Sequence, residues 1–271
     1  MTQGDSKWSD DESRAYAQLA DVAVPSRREQ LAALITQIPF KTTKKFRFVD
    51  LACGEGGLTK AIMTLYPKAT ALALDGSPAM LGAASRRLSE FGNRAKMATF
   101  DIANDGWHHY IDGADLVVSS LVIHHVDSNG KRSLYRDVFN RISERGALLI
   151  VDVVAGRRPS VWSLHADLFD RIAHEQSVNE TGSSELFNIV QRDEWNLFRY
   201  PEDSEIPDTI FDNLKWLDEA GFQDVDCLWL RAGYAVFGGH KTAWGHPSHG
   251  LPSEGPSYED ALLAVSDALR N

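Results

Sequence analysis

Three aspartates, two glycines and a histidine pair stand at intervals from which one site can be built. Asp50 runs into Gly54 and Gly56, Asp75 follows the glycines, Asp101 follows Asp75 by a similar step, and His124 and His125 come next. A glycine turn lets the main chain lie against a ligand, because φ can be positive and no Cβ intervenes. The N–H groups of a helix that starts there face whatever fills the crevice. A carboxylate about 20 residues further on has the offset at which the end of a second strand accepts hydrogen bonds from ribose hydroxyls. The chemistry implied is that of a nucleotide-type cofactor. An imidazole beside it titrates near neutrality, so it suits a base or a ligand for a second reactant.

The surrounding pattern supplies the elements that would position these groups. Residues 46–51 are a short β-favouring apolar run, and Leu58, Ala61 and Ile62 repeat at helical spacing. A second strand over 69–75 ends on Asp75. Ser77 and Pro78 then open a helix as N-cap and first helical residue, with Gly92 just past its end. Strands follow over 96–101, 114–120 and 147–154, with a helix over 131–142 whose Leu134, Val138 and Ile142 share a face. Alternation of this kind predicts a doubly wound parallel sheet, and right-handed crossovers bring the strand ends to one edge. Ser119 and the two histidines fall at the end of the fourth strand.

The pattern changes over 157–207. Val161, Leu164, Leu168 and Ile172 keep helical spacing, and Trp162, His165 and Phe169 form an adjacent stripe. A second helical stretch is expected from about 184 to 197, with Arg199 and Tyr200 after it. A helix over 211–220 closed by Gly221 precedes two strands, 225–230 and 234–239. Beyond Lys241 come a segment rich in Gly, Pro and Ser and a last helix opened by Ser257 and Asp260 as a capping box, with Leu262, Val265 and Leu269 on its apolar side. That helix is expected on its own domain or on a partner.

A dinucleotide site would place Gly or Ala where Thr59 stands. The run Asp50-Leu51-Ala52-Cys53-Gly54-Glu55-Gly56 instead resembles motif I of the class I S-adenosylmethionine (SAM) methyltransferases, of the type that acts on small molecules. The resemblance extends from about Tyr16 to Lys241. It implies an α/β fold with a doubly wound, seven-stranded, mostly parallel sheet and a helical insertion after strand 5. The corresponding segments are N-terminal helices over the cofactor (1–45), a SAM-binding core (46–156), a lid (157–207), a last helix and hairpin (208–241), and a linker with a C-terminal helix (242–271). By the same resemblance the cofactor residues are Tyr16, Asp50, Ala52, Gly54, Gly56, Asp75, Gly76, Met80, Asp101, Ile102 and Ser119, with Asp101 at the adenine amino group. His124 is the catalytic candidate, and Trp162, His165, Phe169, Arg199 and Tyr200 are the acceptor candidates.

Each assignment competes with a plainer one. Asp75 could be an exposed strand-end acid, Asp101 could cap a turn with Asn104 and Asp105, Tyr16 and Arg28 could be a packing aromatic and a surface cation, and the Trp162 stripe could be core. Either histidine could pack or cap, and His125 suits that role better than His124. The activity implied is in-line transfer of the sulfonium methyl to a small-molecule acceptor, leaving S-adenosylhomocysteine. The alternatives are a tRNA-modifying enzyme using SAM or carboxy-SAM, and a protein that binds SAM without turnover.

Composition bounds these readings. The 38 acidic against 28 basic residues leave a formal charge of −10, which disfavours a phosphate backbone as partner. Cys53 and Cys227 are too few and too far apart for a zinc ribbon or a disulfide framework, and His246 and His249 bring no further ligands, so no metal is expected. The N-terminus carries no basic and apolar leader and no run reaches a membrane span, so the expectation is a cytoplasmic protein with no membrane partner. A homodimer is an open expectation.

Overall fold

The computed structural model describes residues 19–243 and 255–270. Seven strands, β1 (Arg47–Leu51), β2 (Thr70–Asp75), β3 (Ala95–Thr99), β4 (Leu116–Ser120), β5 (Ala147–Val153), β6 (Gln223–Arg231) and β7 (Tyr234–His240), make one sheet in the order β3-β2-β1-β4-β5-β7-β6. The first five are parallel, and β7 runs antiparallel between β5 and β6. β5 is buried along its whole length, as a parallel strand covered on both faces must be, whereas the edge strand β3 is half exposed. The hairpin β6–β7 turns through Ala232 and Gly233, both at positive φ (52° and 78°), the backbone that a tight hairpin's twist requires.

The α-helices that flank the sheet include α1 (Arg27–Thr36), α2 (Gly57–Leu65), α3 (Pro78–Arg87), α4 (Ser128–Arg141), α5 (Pro159–Thr181), α6 (Glu185–Arg192), α7 (Ile210–Ala220) and α8 (Tyr258–Leu269). The chain winds outward from β1 to β3 and then crosses back to β4, so the strand order reverses between β1 and β4. Ligands of open α/β sheets bind outside the carboxyl ends of the strands at such a point. The register places Leu51 beside both Leu74 and Ser119, which sets Asp50, Asp75 and Ser119 along that edge.

Several expectations are corrected. β3 stops at Thr99, so Asp101 stands beyond the strand in a turn. α3 ends at Arg87 and continues through a 3-10 turn over Ser89–Arg94, so Gly92 (φ 53°) lies within that turn. The stretch 184–197 is helical only over Glu185–Arg192. On α5 the buried residues are Ala166, Phe169, Ile172, Ala173 and Ser177, and Leu164 is 54% exposed. The face has rotated because α5 packs on Leu19–Val24, Phe198 and Tyr234. Gln176 secures that contact: its Oε1 accepts from Ser26 N at 2.6 Å and its Nε2 donates to the carbonyls of Asp21, Val22 and Val24.

α8 docks on its own domain, against α1 and α2. Ser257 and Asp260 form the expected capping box, and Ala261, Ala264, Val265 and Ala268 are the buried face, with Leu262 and Leu269 at its margins. A Cβ on Gly57, the first residue of α2, would stand 2.7 Å from Leu269 Cδ2. Arg87 joins the two regions, donating to Ala268 O at 3.1 Å and pairing with Glu55 of the glycine turn at 3.2 Å. Val265 is fully buried, so Val265→Asp should undock the helix and cost about 3 kcal/mol or more, an unpaired charge having no partner there. Chemical denaturation measures the loss. An unchanged midpoint would mean that α8 contributes nothing to the domain.

Candidate active site

β1 and α2 meet in the glycine turn, and one hydrogen bond shows why Thr59 replaces the small residue of a dinucleotide site. Thr59 Oγ1 donates to Asp50 Oδ2 at 2.6 Å, both residues being buried, so the hydroxyl ties the first turn of α2 to the end of β1. Burial pushes the Asp50 carboxyl up to about 7 against the pull of the Thr59 hydrogen bond, and the nearby Asp75 charge adds to the rise. Ala52, Gly54 and Gly56 all hold positive φ, at 59°, 54° and 82°. Around Gly54 the space a Cβ would occupy is open, while at Gly56 it would meet Ala84 and Leu88 at 3.2–3.3 Å. Leu121, just past β4, also stands at φ 59°, and Ser119 Oγ donates to Leu51 O at 3.3 Å across the crevice floor. Non-glycine residues at positive φ concentrate at sites where the chain must turn sharply around a ligand.

Asp75 closes the second side of the turn. Its Oδ2 accepts from Gly54 N at 2.8 Å and its Oδ1 from Ser77 N at 2.9 Å. Burial raises its pKa, with these main-chain donors and Gly76 opposing the rise. Ser77 caps α3 by accepting from Met80 N at 3.3 Å, which fixes Gly76 and Met80 at the edge of the site. Beyond Gly76 lies a cleft of about 260 Å³ lined by Gly76, Thr99, Phe100, Asp101, Asn104 and Trp107. Asp101 there accepts from Ala103 N at 3.0 Å and from Asn104 Nδ2 at 2.7 Å, so the turn-capping role is present. Ile102 packs against the core below. Trp107 is 3% exposed, edge-on to Phe100 at 5.8 Å, and its Nε1 is buried with no hydrogen-bond partner among the described residues. Only its place directly after the Asp105-Gly106 pair could have flagged this aromatic from sequence.

His124 and Asp152 build the other half of the site at the ends of β4 and β5. His124, 5% exposed, bonds Asp152 Oδ1 through Nδ1, and its Nε2 is paired with Glu205 Oε2 at 3.0 Å. Burial by itself would expel the imidazolium charge. The charge and hydrogen bond of Asp152, joined by Glu205, overcome it and push the pKa up to about 10. Glu205 is correspondingly held below its ordinary value by His124 and His125, although burial acts to raise it. Burial lowers His125, whose Nδ1 meets Ser204 O at 3.0 Å. Ile206 N donates to His124 O at 2.9 Å, and buried Lys131 pairs with Asp208 at 2.7 Å, so residues 204–208 are stitched onto the loop after β4. His124, His125 and Glu205 bring ligand atoms within 4.8 Å of one another, as a metal site would, but the imidazolium charge already serves the carboxylates. Asp152 continues the series of strand-end acids and was findable on that ground. Glu205 carries no local sequence signal.

The acceptor candidates separate. Trp162 and Arg199 line a larger cleft of about 620 Å³ where the chain leaves β5. Phe169 does not face it: fully buried, it packs in the core with Tyr234, because the helix face that carries it closes on the N-terminal segment. His165 lies on Phe198, with burial lowering its pKa. Arg199 is engaged by Asp170 at 2.6 Å and Asp167 at 3.1 Å, and Tyr200 is 38% exposed outside the cleft. Arg28 pairs with Glu180 at 2.7 Å and Asp21 at 3.3 Å, which makes it a brace between α5 and the N-terminal segment. Tyr16 lies outside the described residues.

Asp50 makes a pH dependence measurable. Its folded-state pKa of about 7 exceeds the ordinary 3.8, so the folded chain keeps a proton that the unfolded chain has lost. Stability from this group is therefore greatest below about pH 4, declines as pH rises, and levels off above about pH 7, with a slope of up to about 1.4 kcal/mol per pH unit. Urea denaturation of Asp50→Asn between pH 5 and 8 should show that slope removed. An identical slope in the variant would clear Asp50 of the effect.

Comparison with known proteins agrees with this geometry. Residues 49–148 match the methyltransferase domain family. Over 80 residues, 30% of this chain, the sequence is 38% identical to trans-aconitate 2-methyltransferase of Methylobacterium nodulans, an alignment that spans 29% of that enzyme. An O-methyltransferase family protein from Burkholderia thailandensis superposes with a TM-score of 0.60 at 15% identity, covering 86% of this chain and 60% of that one. Human N-acetylserotonin methyltransferase in complex with SAM gives 0.55 at 19% identity, covering 87% and 57%. The chain thus spans under a third of that curated relative and about 60% of these solved structures. A sheet order that turns back between β1 and β4 and an antiparallel β7 give the chain the fold of these solved methyltransferases, and its residues 49–148 are similar to the methyltransferase domain family.

Proposed function

We propose that the protein transfers the methyl group of SAM to a small-molecule acceptor. The observation that carries this reading is the clamp of Asp75 on Gly54 and Ser77 at the strand-order reversal, with the space beside Gly54 open. The residues suit the cofactor. Asp75 has lone pairs left for ribose hydroxyls, Trp107 offers a buried and unpartnered N–H in the cleft beyond Gly76, and Asp101 borders the same cleft. Asp50, held near a pKa of 7 by burial, favours a cationic amino group nearby, which would restore its charge. Gly56, Met80, Ile102, Ala52 and Ser119 shape the surrounding wall. When bound, the sulfonium supplies an already electrophilic methyl, so the protein's task is to align the nucleophile and exclude water.

His124 is the group we assign to the acceptor proton. Asp152 holds Nδ1, which leaves Nε2 to face outward, where Glu205 now pairs with it. An acceptor hydroxyl that displaces Glu205 would meet Nε2, and losing one carboxylate neighbour lowers the pKa of the imidazole toward a value at which it can take the proton. In Glu205→Gln the same loss is built in, so the pH–rate profile should move to lower pH. An unmoved profile would separate Glu205 from the proton transfer. The reading as a whole is tested by isothermal calorimetry with S-adenosylhomocysteine and by mass-spectrometric detection of methylated product from a panel of hydroxylated small molecules. Failure to bind the cofactor product would end it. The acidic balance of the chain continues to speak against an RNA substrate.

A further inference from the structure

The cleft at the exit of β5 has a composition that the rest of the chain does not lead one to expect. Gly156, Arg157, Arg158, Trp162, Phe198 and Arg199 are among its walls, and among the described residues no acidic one lines it, although acidic residues outnumber basic ones 38 to 28 in the chain. Its volume of about 620 Å³ falls within the ordinary range for small-molecule sites, roughly 300–1,000 Å³. One wall is aromatic and held in place. Trp162 Nε1 donates to Gly156 O at 2.8 Å, and its ring meets Phe198 edge-on at 5.3 Å.

The three arginines differ in what they already hold. Arg157 pairs with Asp212 at 3.2 Å and lies over the Phe211 ring, and Arg199 is held by Asp167 and Asp170. Arg158, exposed at the N-terminal end of α5, makes no side-chain hydrogen bond or ion pair among the described residues. A guanidinium fork matches a carboxylate with two parallel hydrogen bonds, and a cleft lined by one sign of charge concentrates ligands of the other. We propose that this cleft takes a planar aromatic acceptor bearing a carboxylate, with the ring against Trp162 and Phe198 and the carboxylate on Arg158. This names the substrate class of the methyltransferase reading above and rests on it.

The test keeps the two readings apart by measuring binding in protein saturated with S-adenosylhomocysteine. Hydroxybenzoic, hydroxycinnamic and hydroxyquinoline carboxylic acids are titrated by calorimetry, each beside its neutral primary amide. The expected result is that at least one acid binds tenfold or more tightly than its amide, and that Arg158→Glu removes this preference without changing the affinity for S-adenosylhomocysteine. Trp162→Leu should weaken acid and amide alike. Equal binding of acids and amides, an acid preference that survives Arg158→Glu, or no binding of any acid to protein that binds S-adenosylhomocysteine would each overturn the proposal. Protein that fails to take up S-adenosylhomocysteine would instead overturn the underlying methyltransferase reading.

Discussion

Replacing His124 with alanine is expected to reduce the rate of methyl transfer by about 10²–10⁴-fold, the usual contribution of a positioned acid–base group, with SAM affinity changed by less than about threefold. The separation follows from position. His124 stands at the ends of β4 and β5 among Asp152 and Glu205, whereas the glycine turn is held by Asp75 and Thr59 and makes no hydrogen bond to the imidazole. The alanine variant also leaves two largely buried carboxylates without their cation, and removing one partner of a buried ion pair costs about 3–5 kcal/mol. His124→Asn, whose Nδ2 overlays the imidazole Nδ1, retains a donor for Asp152 and should keep more of the fold while losing the same activity. Single-turnover rates with saturating SAM, read beside calorimetric Kd and thermal midpoints, check both variants. Full activity in a folded His124→Asn protein would remove the residue from proton transfer and leave it as a clamp for residues 204–208.

The pH dependence of stability carries the same assignment. Because the folded-state pKa of His124 is raised above its ordinary 6.5, its stabilising contribution is complete below that value and fades as pH rises through about 10. Alkaline unfolding should begin with release of the 204–208 segment, visible as hydrogen exchange at Ile206 N before the central strands respond.

Asp75→Ala should weaken SAM binding by about 1.5–3 kcal/mol, or roughly 10- to 150-fold, the range for hydrogen bonds to a charged group. Two losses act together. The ribose would lose the acceptor proposed for it, and Gly54 and Ser77 lose the carboxylate that sets the spacing between the glycine turn and the start of α3. Asp75→Asn distinguishes them, because its single carbonyl oxygen can satisfy one of the two N–H donors. If the alanine variant binds SAM as the parent does, Asp75 is a turn clamp only, and the ribose contacts must come from elsewhere along the strand ends.

Much of this architecture is legible in the chain because it is local. Asp75 and Ser77 could be placed at a strand end and a helix start from residues within a few positions of them, and the buried runs of β4 and β5 announce a sheet covered on both faces. The positions of Gly54 and Gly56 follow from the need for positive φ, a property of single residues. Even the capping box of α8 is written in four consecutive residues.

The remainder depends on what lies across the molecule. The Trp162 stripe is regular by spacing, yet Phe169 turns to the core and Trp162 to the cleft, because residues 19–24, distant in sequence, decide which side of α5 is covered. Glu205 reaches His124 across 80 intervening residues, and no periodicity connects an acid in an irregular segment to a histidine after β4. Arg158 and Arg199 read alike as exposed cations, and only the positions of Asp167 and Asp170 on α5 show that one is engaged and the other is not. Periodicity and turn chemistry act over one or two turns of chain, so the amino-acid order by itself determined the sheet, its switch point and the cofactor edge. Burial and ion pairing are pairwise over the whole fold, and for that reason only the tertiary structure decided which side chains line the cleft after β5.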